Sequence, residues 1–126
     1  ILLPQIDVAF LSNMIIDNGI GPGALLVATL WFICITGPLG FNPIISVSLA
    51  VETLATLPGL HISPYLIMLT CTMAWALVAG VSPFGAALRL ACRCTQKSPF
   101  EVGPRWNRTF TLTVLLGVSG ILILTA

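Results

Sequence analysis

The sequence predicts an all-α integral membrane protein that contains a re-entrant helical hairpin, a broken transmembrane helix and a final transmembrane helix. Hydrophobic residues make up 57% of the chain and charged residues only 7%, whereas a soluble domain is about 25% charged. Turns rich in Gly and Pro divide the apolar sequence into helix-length segments. The basic residues all lie in one stretch: Arg89, Arg93, Lys97, Arg105 and Arg108.

This charge distribution predicts the orientation of the chain. Because Lys and Arg are enriched in cytoplasmic loops, we expect residues 89–108 on the cytoplasmic side and the C-terminus outside, in a bacterial inner membrane. The lipid bilayer is therefore an expected partner, and a nucleic acid is not, because the chain lacks a Lys/Arg-rich surface. Ile1 is not an initiator Met and no signal-peptide pattern precedes the first apolar run, so we interpret the chain as part of a larger membrane protein, whose remainder is a further partner.

Residues 1–19 are interpreted as the end of a membrane helix. The segment is mostly apolar but contains Asp7, and a carboxylate within an apolar helix is a candidate functional group. A position of Asp7 near the membrane surface would instead leave it solvated. Asp17 begins a turn that continues to Gly23, and we interpret it as a solvated turn residue.

Residues 22–57 predict the re-entrant hairpin. Two apolar helices of about 15 residues, or roughly 22 Å each, fall short of a hydrocarbon core of about 30 Å. They are joined by a tip at residues 37–43, GPLGFNP. A turn at membrane depth is tolerated where it is buried in protein or lines a cavity. The alternative is a pair of ordinary helices whose ends extend beyond the predicted boundaries.

Glu52 is the one charged residue between Asp17 and Arg89. It shares a helix face with Ser48 and Thr56, because the three recur at intervals of four residues. We expect this face to contact the protein interior or water. Glu52 is then a proton or cation site, half of an ion pair that closes a gate, or a residue near the membrane surface.

Residues 64–94 predict a transmembrane helix that is broken at residues 80–85, GVSPFG. Counted back from Arg93 at the cytoplasmic surface, Ser82 lies about 16 Å into the bilayer, near its midplane. Ser82 and Pro83 have the sequence of a helix start, with a capping residue before a proline. The alternative is a proline kink in a continuous, tilted helix.

A break at this depth predicts a binding site. The N-terminus of the second half presents free N–H groups, which suit an anion such as a carboxylate. The carbonyl groups that end the first half, near Ala79 and Gly80, suit a cation such as sodium. His61 has no second ligand at metal spacing and is interpreted as a loop residue, so no metal site is predicted.

The last two segments are a cytoplasmic loop at residues 95–108 and a transmembrane helix at residues 109–126. Ser98 and Glu101 form a capping box that predicts a short interfacial helix. Residues 117–120, GVSG, match the Gly-x-Ser-Gly of intramembrane serine proteases, but that chemistry requires a His on a later helix. We therefore expect a small-residue packing surface rather than an enzyme. The four cysteines are expected to be free thiols.

The order of hairpin, loop, broken helix, amphipathic cytoplasmic segment and final helix is similar to the C-terminal repeat of the ion transporter superfamily. In outline it most resembles the divalent-anion/sodium symporters, on the tip GPLGFNP and the break GVSPFG. The resemblance implies a secondary transporter that moves a small anionic solute by alternating access. It also implies coupling to sodium or a proton, no other cofactor, and a homodimer.

The predicted site lies where the hairpin tip meets the break. Its candidate substrate- or ion-binding residues are Gly40, Asn42, Pro43, Ser82, Pro83 and Gly85, with Glu52 as a further candidate. The alternative function, from a different class, is a non-transporting membrane subunit or scaffold whose helices serve packing and assembly.

Overall fold

The structure is a computed structural model that describes residues 8–126. In this range the chain forms α-helices and no strand, which confirms the predicted all-α class. Asp7 lies outside the described residues, so its candidate role stays a prediction. The elements are α1 (Val8–Asp17), α2 (Pro22–Thr36), α3 (Pro43–Thr56), α4 (Pro64–Val81), α5 (Ala86–Thr95), a π-helical turn (Glu101–Trp106) and α6 (Arg108–Thr125).

Proline begins three of these helices. Pro22, Pro43 and Pro64 occupy the first turns of α2, α3 and α4, where the missing N–H removes no intrahelical hydrogen bond. Asn42 caps α3 as predicted, because its Oδ1 accepts a hydrogen bond of 3.0 Å from the backbone N–H of Ile44.

The predicted helix start at Ser82 is wrong. Ser82 is the C-cap that follows α4, and its backbone N–H donates to the carbonyl oxygen of Val78 at 2.7 Å. Helix α5 begins at Ala86, after Gly85. A proline after a polar residue is a local pattern that fits either side of a helix boundary, and here it belongs to the interruption itself.

Helix α2 packs against three other helices of the bundle. Leu26, Leu30 and Ile33 recur on one face of α2 and are completely buried. The indole Nε1 of Trp31, on α2, donates a hydrogen bond of 3.2 Å to Ser119 Oγ on α6. Packing against α3, α4 and α6 therefore buries one face of α2, whereas Phe32 and Ile35 on its other side are exposed.

Contacts between helix ends give the relative directions of α2, α4 and α6. A Cβ on Gly23, at the start of α2, would lie 2.9 Å from the carbonyl oxygen of Leu122, near the end of α6. Gly37, just past the end of α2, lies against Val78, near the end of α4. Helices α2 and α4 therefore run in the same direction, and α6 runs opposite to both.

The hairpin tip, the break and the beginning of α6 lie at the same end of the bundle. Asn107, which flanks α6, donates from Nδ2 to the carbonyl oxygen of Gly80 at 2.8 Å. Every basic residue follows the break in the sequence, and Arg105 and Arg108 flank Asn107. We call this end the basic end.

Two helical stretches in residues 8–126, Pro64–Thr95 and Arg108–Thr125, are long and apolar enough to cross a membrane. The first contains the break, with α4 and α5 on either side of it. Helices α2 and α3 are shorter apolar helices, as the sequence predicts.

The segment that joins α5 to α6 folds back on α5. Leu88 and Cys92 of α5 are buried together with Val102 of the π-helical turn. Ser98 Oγ accepts from the backbone N–H of Glu101 at 3.3 Å, which is one half of the predicted capping box. The helix that follows is π-helical and contains Pro104, which lacks the N–H of a regular α-helical turn.

Candidate functional site

The hairpin tip and the break enclose a cavity of about 370 Å³ at the basic end. Five of the seven predicted site residues line it, namely Gly40, Asn42, Pro43, Ser82 and Gly85. The other lining residues come from the same two turns and the adjoining helices: Gly37, Phe41, Trp75, Val78, Ala79, Phe84 and Ala86. The structure thus brings together two turns that are about 40 residues apart in the sequence.

A direct contact joins the two turns. Ser82 Oγ donates a hydrogen bond of 3.3 Å to the carbonyl oxygen of Gly37, and the Ser82 side chain is only 6% exposed. The ring of Phe84 packs over Gly40, with its Cε2 3.5 Å from the position that a Cβ on Gly40 would occupy. Gly40 has a φ of +99°, a conformation that side-chain-bearing residues rarely adopt. Both turns are therefore held in a defined geometry.

Two predicted residues do not line the cavity. Pro83 is buried within the break, where it shapes the turn without contacting the cavity. Glu52 lies on an exposed face of α3 together with Ser48 and Thr56. The shared face is as predicted, but it is exposed on the described bundle, and Glu52 does not line the cavity.

Four helix ends meet at the cavity. Helices α3 and α5 begin there, at Pro43 and Ala86, and helices α2 and α4 end beside it. Helix N-termini carry partial positive charge and C-termini partial negative charge. No charged side chain of the described residues lines the cavity, so its polarity comes from helix ends, the Ser82 hydroxyl and the Asn42 amide.

The carbonyl group of Gly80 does not face the cavity as expected. It accepts the 2.8 Å hydrogen bond from Asn107 and is therefore already paired. Ala79, its neighbour, does line the cavity. The role of Asn107 has no signal in the sequence, because Arg105, Trp106 and Arg108 around it are typical of a membrane surface.

The remaining reactive residues do not assemble into a second site. Among residues 8–126, no group of three His, Cys, Asp or Glu side chains could hold a metal ion. His61 is exposed in its loop. Cys34, Cys71, Cys92 and Cys94 are free thiols in the structure.

Ser119 of the GVSG sequence has a packing role. Its Oγ donates to the carbonyl oxygen of Leu115 at 2.7 Å and accepts from Trp31, so it joins α6 to α2. Gly117 and Gly120 are exposed, and a Cβ on either would meet no atom within 4 Å. The two glycines therefore make no close packing contact, and within GVSG the packing is made by Ser119 and the partly buried Val118.

No family model, curated protein or solved structure matches this chain.

Proposed function

We propose that this chain is part of a secondary transporter in a membrane and that it binds a small solute in the cavity between the hairpin tip and the break. The observation that carries the proposal is that both turns line one cavity and are joined by the hydrogen bond from Ser82 Oγ to the Gly37 carbonyl oxygen. Interrupted helices that meet at a cavity are the usual framework of such sites.

The membrane placement is supported by the surface of the bundle. Large apolar side chains are exposed on several helices, including Phe32 at 56%, Met68 at 66% and Leu124 at 87%. An apolar surface of this extent would be unfavourable in water and is expected against lipid or further protein. Helices α4 and α6 have 18 residues each, or about 27 Å, close to the thickness of a bilayer core.

We place the basic end at the cytoplasmic surface, with α2 and α3 running alongside α4 and α6. This placement revises the expected midplane depth of Ser82. The count from Arg93 assumes one straight helix, whereas Gly80 is bonded to Asn107 next to Arg108. The hairpin tip is then near the membrane surface rather than halfway through it, and the cavity opens toward the cytoplasm.

An anionic solute suits this cavity best. The N-termini of α3 and α5 both reach it, and an acidic side chain, which would repel an anion, is missing from its lining residues. Because Gly80 is paired with Asn107, we do not include a sodium ion bound at that carbonyl group. Alternating access would require the contact between Ser82 and Gly37 to open and close.

Transport of radiolabelled succinate and citrate into vesicles tests the proposal in the full-length protein. The double variant Asn42→Ala/Ser82→Ala removes both polar side chains of the cavity and is expected to abolish uptake of a transported anion. Glu52→Gln is the matched control, because Glu52 lies outside the cavity on the exposed face of α3, and it should transport normally. Normal uptake by a correctly inserted double variant would contradict the proposed site.

The second candidate is a non-transporting membrane subunit, and one observation favours it. The Ser82 hydroxyl is almost fully buried and already bonded to Gly37, as in a packing contact between two turns. A scaffold would need this contact to stay closed. Chemical access to the break distinguishes the two candidates.

A further inference from the structure

We infer that the exposed face of α5 binds the phosphate headgroup of an anionic phospholipid. The inference rests on the membrane placement proposed above and does not depend on transport. The two faces of α5 differ sharply in their surroundings.

One face of α5 is packed and the other is free of the described bundle. Leu88 and Cys92 are buried against Val102 of the π-helical turn. On the opposite side, Arg89 and Arg93 are exposed one helical turn apart and, with Ala86 and Leu90, outline a shallow groove of about 240 Å³. Leu90 is 65% exposed between the two arginines. The groove therefore combines two guanidinium groups with an apolar floor.

The positive charge at this face is not neutralised within residues 8–126. The ion pair in this range joins Lys97 Nζ to Glu101 Oε1 at 3.8 Å. Glu101 is also the one acidic residue that follows Glu52 in the sequence. Arg89 and Arg93 thus have no carboxylate within 4.0 Å among the described residues. Charge complementarity calls for an anionic partner, and two guanidinium groups favour phosphate.

The neighbouring apolar side chains indicate a lipid rather than a free anion. Phe84 is 55% exposed, Phe100 is 66% exposed and Trp106 is 53% exposed, and all three flank α5 or its return segment. Aromatic and basic side chains occur together at the level of lipid headgroups. A phospholipid suits this surface, because its phosphate can meet the two arginines while an acyl chain meets the exposed Leu90 between them.

Lipid-selective quenching tests the inference. Cys94 is the exposed cysteine at the end of α5, and a fluorophore on it reports which lipid surrounds this helix. The protein, with Cys94 as its sole reactive thiol, is reconstituted in equimolar phosphatidylglycerol and phosphatidylcholine, with one or the other brominated. We expect phosphatidylglycerol to be enriched by about fivefold or more around the fluorophore. The attraction of one basic residue to an anionic membrane surface corresponds to a factor of about five in binding.

The variant Arg89→Gln/Arg93→Gln should lower the ratio of phosphatidylglycerol to phosphatidylcholine around the fluorophore toward one. Lys97→Gln is the control, because it removes one charge that is paired with Glu101, and it should preserve the ratio. An unchanged ratio in the double arginine variant would overturn the inference. So would loss of the enrichment on adding soluble glycerol phosphate at constant ionic strength, which would identify a free-anion site. Equal quenching by both lipids excludes lipid recognition, while no quenching by either also contradicts the membrane placement.

Discussion

Asn107 Nδ2 donates a hydrogen bond of 2.8 Å to the carbonyl oxygen of Gly80, across 27 positions of the sequence. This contact joins the beginning of α6 to the last turn of α4, next to the break. It therefore fixes the level of the break relative to the basic residues around α6. It also pairs a carbonyl group that an interrupted helix would otherwise leave without a donor.

The variant Asn107→Ala should lower the stability of the bundle. Loss of the amide leaves the Gly80 carbonyl oxygen without its donor, at a cost of about 1 kcal/mol. Thermal unfolding in detergent measures the effect. Asn18→Ala is the control, because its Nδ2 also bonds a backbone carbonyl, that of Met14, but at an exposed site within one turn. Equal stability of the two variants would show that the contact between α4 and α6 contributes little.

Gly37→Ala should disturb the packing of α2 against α4. Gly37 has a helical backbone, with φ −57° and ψ −50°, so alanine fits its conformation. A Cβ there would collide with both methyl groups of buried Val78, and overpacking of this kind costs about 1–3 kcal/mol. Gly120→Ala is the matched control, since its Cβ would meet no atom within 4 Å.

A double variant separates the collision at Gly37 from other causes. If Val78 is the obstacle, Gly37→Ala/Val78→Ala should be more stable than the sum of the two single changes predicts. Chemical unfolding curves of the four proteins give this coupling directly. If the changes in unfolding free energy of the two single variants simply add, the effect of Gly37→Ala does not come from a collision with Val78. The close approach of α2 and α4 would then not be supported.

Asn42 has a structural role that can be separated from any role in binding. Its Oδ1 caps α3 through the N–H of Ile44, so Asn42→Ala should cost about 1 kcal/mol of stability. Asn42→Ser supplies another capping oxygen and should preserve stability while removing the amide from the cavity. If the cavity binds solute through this amide, uptake falls in both variants but stability falls only in the alanine variant.

Cysteine accessibility at the break tests whether the cavity is open to water. Phe84 is exposed and Gly85 lines the cavity, so Phe84→Cys and Gly85→Cys should react with a membrane-impermeant maleimide. Pro83 is buried, and Pro83→Cys should stay unreactive. The measurement uses a Cys94→Ser background, because Cys94 is exposed. If neither Phe84→Cys nor Gly85→Cys reacts with the maleimide, the break is a closed packing contact, and the scaffold is favoured.

Much of the helical framework could be predicted because it depends on local chemistry. Pro22, Pro43 and Pro64 begin helices wherever an apolar run follows them, and Asn42 caps α3 with its own neighbours. The two long apolar stretches follow from composition alone. In contrast, the sequence pattern at Ser82 misassigned the boundary, because a Ser-Pro pair is compatible with both the end and the start of a helix.

The sequence by itself determined that this chain is helical, where most helices begin, and which two turns are polar enough to form a site. Tertiary structure alone decided how these parts are arranged. It joined Ser82 to Gly37, paired Gly80 with Asn107, and left Glu52 outside the cavity lining. The physical reason is range: capping and helix propensity act within one turn, whereas these contacts depend on which helix faces packing brings together.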